Sequence, residues 1–473
     1  MFSPCGTKPR QPSRLRSLER TSGENLSLAV NCSCEFETAL HNLLERYFKL
    51  AENGTTVRRE LLGGLTTFMT MAYIVVVNPQ ILSQAGIPAE GVVFATCVSS
   101  AAATLVMGLY ANYPIALAPG MSLNAYFTYS VCLGMGIPWR TALGVVFFSG
   151  VLFVLLTITR LREQIVNGIP DCLKHSTAAG IGLFIAFVGL HNARLVVAHP
   201  ATFVSIGNFS LPEVQAACLG IVLTVILTAR KVSGAILLGI AGTTLFGFAR
   251  GIAHWPSALV SLPHPGSTLF QLDLRGALHL GLLEVVFAFL FVDLFDNVGT
   301  LMGVCEQAGF VKDGRIPRVG RILLADGVGT IVGSLAGTST VTSYIESAAG
   351  VAAGARTGLS NMVVAGLFVV AAFFSPVAVA IPTFATAPAL ILVGALMTQS
   401  IARVDWSEFS ESFPAFLTML AMPLTFSIAN GLGWGVISYS IVKVAAGKYR
   451  EVSPVLWVVT ALFVLRYIYL AAA

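Results

Sequence analysis

The chain has 473 residues, of which 55% are hydrophobic and 11% charged, with a formal net charge of +5 and a mean hydropathy of +0.80. A soluble domain carries about a quarter charged residues, so composition excludes a soluble enzyme, a nucleic-acid binder and a disordered scaffold. Long uninterrupted apolar runs point to an all-α polytopic membrane protein and not to a barrel, whose strands would alternate.

Residues 1–35 are polar, and Arg10, Arg14, Arg16 and Arg20 come before much acid. That composition fits an organelle transit peptide, an over-long start or a disordered tail; the tail is the reading adopted. Over 36–60, Phe36, Leu40, Leu43, Leu44, Tyr47 and Phe48 recur at helical spacing and predict an amphipathic interfacial segment. The membrane domain then starts at Leu61. Apolar runs at 61–79, 91–110, 115–134, 141–159, 176–193, 214–229 and 232–249 make a first repeat over 61–254. An extracellular connection follows at 255–275. Runs at 276–304, 322–336, 338–355, 357–380, 384–402, 412–429 and 431–442 make a second repeat over 276–450. Within it, Asn430-Gly431-Leu432-Gly433 is expected to separate two short helices. An apolar C-terminal segment at 451–473, with Arg466 inside it, is one run too many for this count.

Basic residues support the map. With the N-terminus cytoplasmic, Arg58, Lys174, Arg230, Lys312, Arg356, Arg403 and Lys443 all fall in gaps on the inner side, as Lys and Arg do in membrane proteins. The eight cysteines have no paired C-x-x-C spacing and the histidines no ligand spacing, so neither a metal nor a cofactor is expected.

Seven runs on each side of residue 255 mean that the second set enters the membrane from the opposite face, which is the arithmetic of an inverted repeat. Leu117–Tyr126 also aligns with Leu335–Tyr344 at constant offset, Leu, Ala and Tyr being identical. Both lie in the third run of their half, and both are interrupted, by Pro119 and Gly120 in one and by Gly337 and a Ser/Thr cluster in the other. Broken backbone at membrane depth has to line a cavity or be buried in protein. We therefore expect segments 3 and 10 to be broken by short extended stretches that meet near the midplane, with two kinked helices as the plainer alternative.

No Asp or Glu occurs from Gly91 to Arg162, and then Glu284, Asp293, Asp296, Asp326 and Glu346 all fall inside apolar runs. A carboxylate at the bilayer centre costs about 2.5–3.5 kcal/mol even on the mild scale. It escapes that cost by facing a wet cavity or by binding a proton. Asp293, Asp296, Asn297 and Thr300 share one helical face. The plainer alternatives put Glu284 at the outer interface and Asp326 at a helix cap. A cavity for a polar, planar, neutral ligand, with protons as the coupling ion, accounts for these acids. No H-E-x-x-H or other enzymatic constellation is present.

Leu44–Leu50, Thr66–Ile74, Ala118–Phe127, Phe291–Leu301 and Gly337–Ser347 resemble the AzgA-like purine permeases of the nucleobase–cation symporters. The resemblance spans about residues 43–471. It implies fourteen segments in two inverted sets of seven, with a core domain (segments 1–4 and 8–11) and a gate domain (5–7 and 12–14), in a homodimer in the plasma membrane. It implies proton-driven, elevator-type import of adenine, guanine or hypoxanthine. Xanthine or uracil is the alternative cargo. By motif position, Asp293 and Glu346 contact the purine and Asn124 shapes the site, while Asp296 and Asp326 serve proton coupling. Gly120 and Thr342, at the two half-helix starts, are expected to offer amides to the ligand, and Phe289, Tyr126 and Phe127 to stack on it. Ser122 departs from the glycine common in that family.

Overall fold

In the computed structural model the described residues are 42–159, 168–264, 266, 268–278, 283–311 and 316–472. The tail at 1–35, the first part of the amphipathic segment, and Lys312 lie outside them, as does the Glu284 side chain. Residues 42–48 form a helix. The membrane domain begins before Leu61: Thr56 is extended and its hydroxyl accepts the Arg59 amide at 3.4 Å, starting helix α1 at Val57.

In chain order the elements are α1 (Val57–Met71), α2 (Ile74–Leu82), α3 (Ala89–Val106), strand β1 (Leu117–Pro119), α4 (Met121–Ala125), α5 (Trp139–Ile158), α6 (Asp171–Asn192), β2 (Val196–His199), β3 (Phe203–Ile206), α7 (Pro212–Ala229) and α8 (Ala235–Ala249). Then come α9 (Leu283–Gln307), α10 (Val319–Ala336), β4 (Val341–Ser343), α11 (Ser347–Ala352), α12 (Leu359–Ala372), α13 (Thr383–Met397), α14 (Phe409–Leu424), α15 (Ile428–Ala445) and α16 (Pro454–Ala472). Seven helical stretches among the described residues are long and apolar enough to cross a membrane. Outward-facing Leu155, Ile158, Val222, Leu245 and Ile441 are more than half exposed, as side chains against lipid are.

Packing sorts the helices into two groups. In one, α10 lies on α3 and α5, α12 on α1 and α3, and α9 on α5 and α11. In the other, α6 lies on α13 and α14, α7 on α8 and α13, and α14 on α15. These are the core and gate sets expected of segments 1–4 with 8–11 and 5–7 with 12–14. Contacts of α6 with α9 and α4 join them.

Both expected breaks are present. Strands β1 and β4 pair antiparallel, Leu117 opposite Ser343 and Pro119 opposite Val341. A two-stranded ladder leaves two outer edges unpaired, which hydrocarbon does not tolerate. One threonine closes each edge. Thr104 of α3 donates to the Leu117 carbonyl at 3.1 Å and accepts the Leu117 amide at 3.0 Å. Thr330 of α10 donates to the Val341 carbonyl at 3.1 Å and accepts the Val341 amide at 3.3 Å. The same device occurs in both halves, so the repeat is structural. Its register is not the one read from Leu117 and Leu335, because Leu335 lies inside α10 and the partner of Leu117 in the repeat is Val341. Glycine, serine and threonine dominate this stretch and carry too little information to fix an offset.

Two further boundaries differ from expectation. The break within 412–442 falls at Thr425-Phe426-Ser427, where Ser427 caps α15 by accepting the Asn430 amide; Gly431 and Gly433 are inside the helix. Lys443, read as a loop charge, sits fully buried in α15 and pairs with Glu451 at 2.6 Å and with Glu411 at 3.5 Å. The extra run at the end is helix α16, packed on α15.

Candidate functional site

A cavity of about 680 Å³ opens between the two groups. Asp171, Lys174 and His175 of α6, Glu306 of α9 and Arg403 beyond α13 lie around its mouth, where Arg403 and Glu306 approach to 3.6 Å. Inside, its wall carries Tyr73, Gly120, Ser122, Asp296, Thr300, Thr342, Tyr344 and Glu346. The strand crossing therefore forms part of the cavity wall. Gly120 suits the close packing there: a Cβ would lie 3.0 Å from the Thr342 side chain, which would have to give way. The Gly120 amide, expected to face a ligand, donates instead to the Thr340 carbonyl at 2.9 Å.

The two cavity carboxylates are each held by a hydroxyl from another element. Tyr73, between α1 and α2, donates to Glu346 Oε1 at 2.6 Å. Ser122 of α4 donates to Asp296 Oδ2 at 2.9 Å. The Tyr344 hydroxyl donates to the Pro119 carbonyl at 2.6 Å, bracing the strand crossing.

Asp293 is elsewhere. Residues three apart on a helix point about 60° from one another, and that angle divides the polar face of α9. Asp296 and Thr300 line the cavity, whereas Asp293 and Asn297 are buried behind it. Asn297 Nδ2 donates to Asp293 Oδ1 at 2.8 Å and to Asp326 Oδ2 at 2.7 Å, and its Oδ1 accepts the Ser343 amide at 3.2 Å. One amide thus links α9, α10 and β4. Asp326 lies well inside α10, which begins at Val319, so it is not a helix cap.

Other expected ligand groups are packed away from the cavity. Phe289, Tyr126 and Phe127 are fully buried and pack edge-on, with Phe289 centroids 5.0 Å from Tyr126 and 6.4 Å from Phe127. Asn124 is buried and accepts from the Ser339 hydroxyl, tying α4 to the stretch before β4. The rings beside the carboxylates are Tyr73 and Tyr344. Sequence reasoning passed over Tyr73, although it lies within the Thr66–Ile74 motif and falls where α1 gives way to α2.

A bundle in two groups, with paired short strands and carboxylates facing a cavity at their crossing, is transporter architecture. Residues 58–433 match the family described as Permease family. The chain belongs to this family. It is a transporter and not an enzyme. The permease is 47% identical over 424 residues to the guanine/hypoxanthine permease PbuO of Bacillus subtilis, covering 88% of this chain and 98% of that one. It is 44% identical over 437 residues to the adenine permease AdeP of Escherichia coli, covering 92% and 98%. Its fold resembles the transmembrane domain of the cyanobacterial bicarbonate transporter BicA, with a TM-score of 0.60 at 15% identity over 79% of this chain and 97% of that one. The murine anion transporter Slc26a9, in an inward-facing state, gives 0.60 at 13% identity, covering 83% and 69%.

Proposed function

We propose that this permease carries purine nucleobases (adenine, guanine or hypoxanthine) across the plasma membrane by proton symport. The observation that carries the reading is the pair of carboxylates, Asp296 and Glu346, lining one cavity at the strand crossing. Two acceptor groups suit a neutral planar base that presents ring N–H donors on separate edges. A cavity of about 680 Å³ has room for a bicyclic base. The likeness to the guanine/hypoxanthine permease PbuO and the adenine permease AdeP supports the same substrate class.

In this reading the acids of α9 exchange the roles that motif position implies. Asp296 joins Glu346 at the base, and Asp293 joins Asp326 in proton coupling. Two buried carboxylates bridged by Asn297 make a unit that can take up a proton and so halve its negative charge. Ser343 is bonded to that same amide, next in sequence to the cavity residue Thr342, so the proton site and the ligand wall share a support. The core group then slides against the gate with one negative charge fewer on it. The mouth with Lys174 and Arg403 faces the cytoplasm, by the inner placement of basic residues.

Uptake of labelled hypoxanthine, competed by adenine, guanine, xanthine and uracil with and without a protonophore, tests the proposal. Saturable uptake blocked by the first two bases and abolished by the protonophore is expected. Competition by uracil or xanthine alone, or indifference to the protonophore, would contradict it.

A further inference from the structure

We propose that Gln80, Ser130 and Phe426 form the outer seal of this permease, the contact between the core and gate groups that shuts the ligand cavity off from the outer surface and parts to admit a base. The inference rests on the nucleobase and orientation readings above. The cavity opens at the end of α6 that carries Asp171, and Ile185 is the last residue of that helix to line it. A second hollow of about 380 Å³ lies at the other end of α6, lined by His191 and Asn192 together with Gln84 and Thr383. Ile185 and His191 are about 9 Å apart along the helix at 1.5 Å per residue. On α13 the order is the same, with Thr383 at the outer hollow and Val393 at the cavity. What separates the two spaces is therefore about two to three helical turns thick.

At that depth each of the three residues ties one group to the other. Gln80 is on α2, which packs on α3 of the core group. Its Nε2 donates to the Ile381 carbonyl at 2.7 Å, just before α13, and its Oε1 accepts from the hydroxyl of Thr386 on α13. Ser130 is buried in the helical segment Tyr126–Gly134 that continues α4, and it donates to the Phe426 carbonyl at 2.6 Å. Phe426 sits at the break between α14 and α15. Its ring is enclosed by Tyr129 from the core side and by Phe184 and Phe187 of α6, at centroid distances of 5.8, 5.7 and 5.4 Å. Its φ of 49° is a left-handed conformation that a bulky residue rarely holds. The ring cage and the Ser130 bond fix it there.

These bonds join neutral groups, and water can replace each of them once the groups part, so separating them costs little. Removing one weakens the closed state and leaves the open state unaltered, because there water already satisfies the same groups. The population with its outer side open then rises. Apparent affinity follows the fraction of protein in the binding-competent state, so the half-saturation concentration for uptake from outside should fall. Damage to the ligand site would raise it.

The test measures half-saturation of labelled hypoxanthine uptake by intact cells in wild type, Ser130→Ala and Gln80→Ala. Alongside it, Thr300→Cys on the cavity wall, with all other cysteines replaced by alanine, reports how fast a membrane-impermeant thiol reagent reaches the cavity from outside, with and without the same two substitutions. Ser130→Ala should lower half-saturation about fivefold, the change carried by one neutral hydrogen bond, and Gln80→Ala, which loses two bonds, by at least as much. The outside reagent rate should rise by similar factors. A reagent rate unchanged by both substitutions would overturn the proposal, and so would a half-saturation that rises in both variants. A wild type that takes up no purine would defeat the nucleobase reading instead, and the reagent rates would still decide the seal.

Discussion

Asp293 and Asp296 lie within one turn of α9, yet they serve different surroundings. Asp296 meets the cavity and Asp293 meets Asn297. The residue types and their spacing were legible in the sequence: acids stranded in apolar runs had to face something wet or be neutralised. Which acid faces the ligand was not legible, because it depends on the rotation of α9 against α10 and β4, and composition is silent on a 60° choice. The assignment has a direct consequence. Asp293→Asn should keep equilibrium binding of hypoxanthine to the purified protein while uptake loses its response to an imposed pH gradient. Loss of binding in that variant would return Asp293 to the ligand.

Asn297 carries more of the site than its neighbours do. Replacing it by alanine removes a donor from two buried carboxylates and an acceptor from the Ser343 amide. A buried polar group left without its partner costs about 1–3 kcal/mol, and more if charged. Thermal unfolding in detergent should show Asn297→Ala well below wild type. An unaltered unfolding temperature would mean that water replaces the amide.

At the scale of elements, the interruptions of segments 3 and 10 were legible because proline and glycine cannot continue a helix without loss. Their function as strands was not, since each strand exists only through its partner in the other half of the chain. Thr104 and Thr330 make the point. Each sits in an ordinary apolar helix, and nothing in its local sequence says that it closes a sheet edge. Thr104→Val and Thr330→Val keep shape and remove the hydroxyl. Each leaves a strand amide and carbonyl unpaired, so each should destabilise by about 1–3 kcal/mol, and by similar amounts. A large effect in one and none in the other would mean that the two halves are not held alike. The break at Thr425–Ser427 has the same lesson: Gly431 and Gly433 look like punctuation, but a serine cap fixes the start of α15 three residues earlier.

For the whole molecule, the two packing groups meet along the cavity, and the Glu306–Arg403 pair crosses its mouth between α9 and the turn that follows α13. That pair is half exposed, so removing either charge should change uptake little; exposed pairs contribute about 0–1 kcal/mol. Joining the two positions is a different matter. Glu306→Cys with Arg403→Cys, in a background where neighbouring Cys305 is alanine, can be bridged by a short bifunctional thiol reagent. If the groups move against one another, bridging should stop uptake, and each single cysteine should be insensitive to the reagent. Full uptake by the bridged protein would show that transport needs no such movement.

In the proposed mechanism a neutral base is held between Asp296 and Glu346. Equilibrium binding of labelled hypoxanthine to purified wild type, Asp296→Asn and Glu346→Gln tests it most directly, with unfolding temperature as the control for intact structure. Loss of at least about tenfold in affinity in both variants, at near-normal unfolding temperature, is the predicted result. Wild-type affinity in either variant would contradict it.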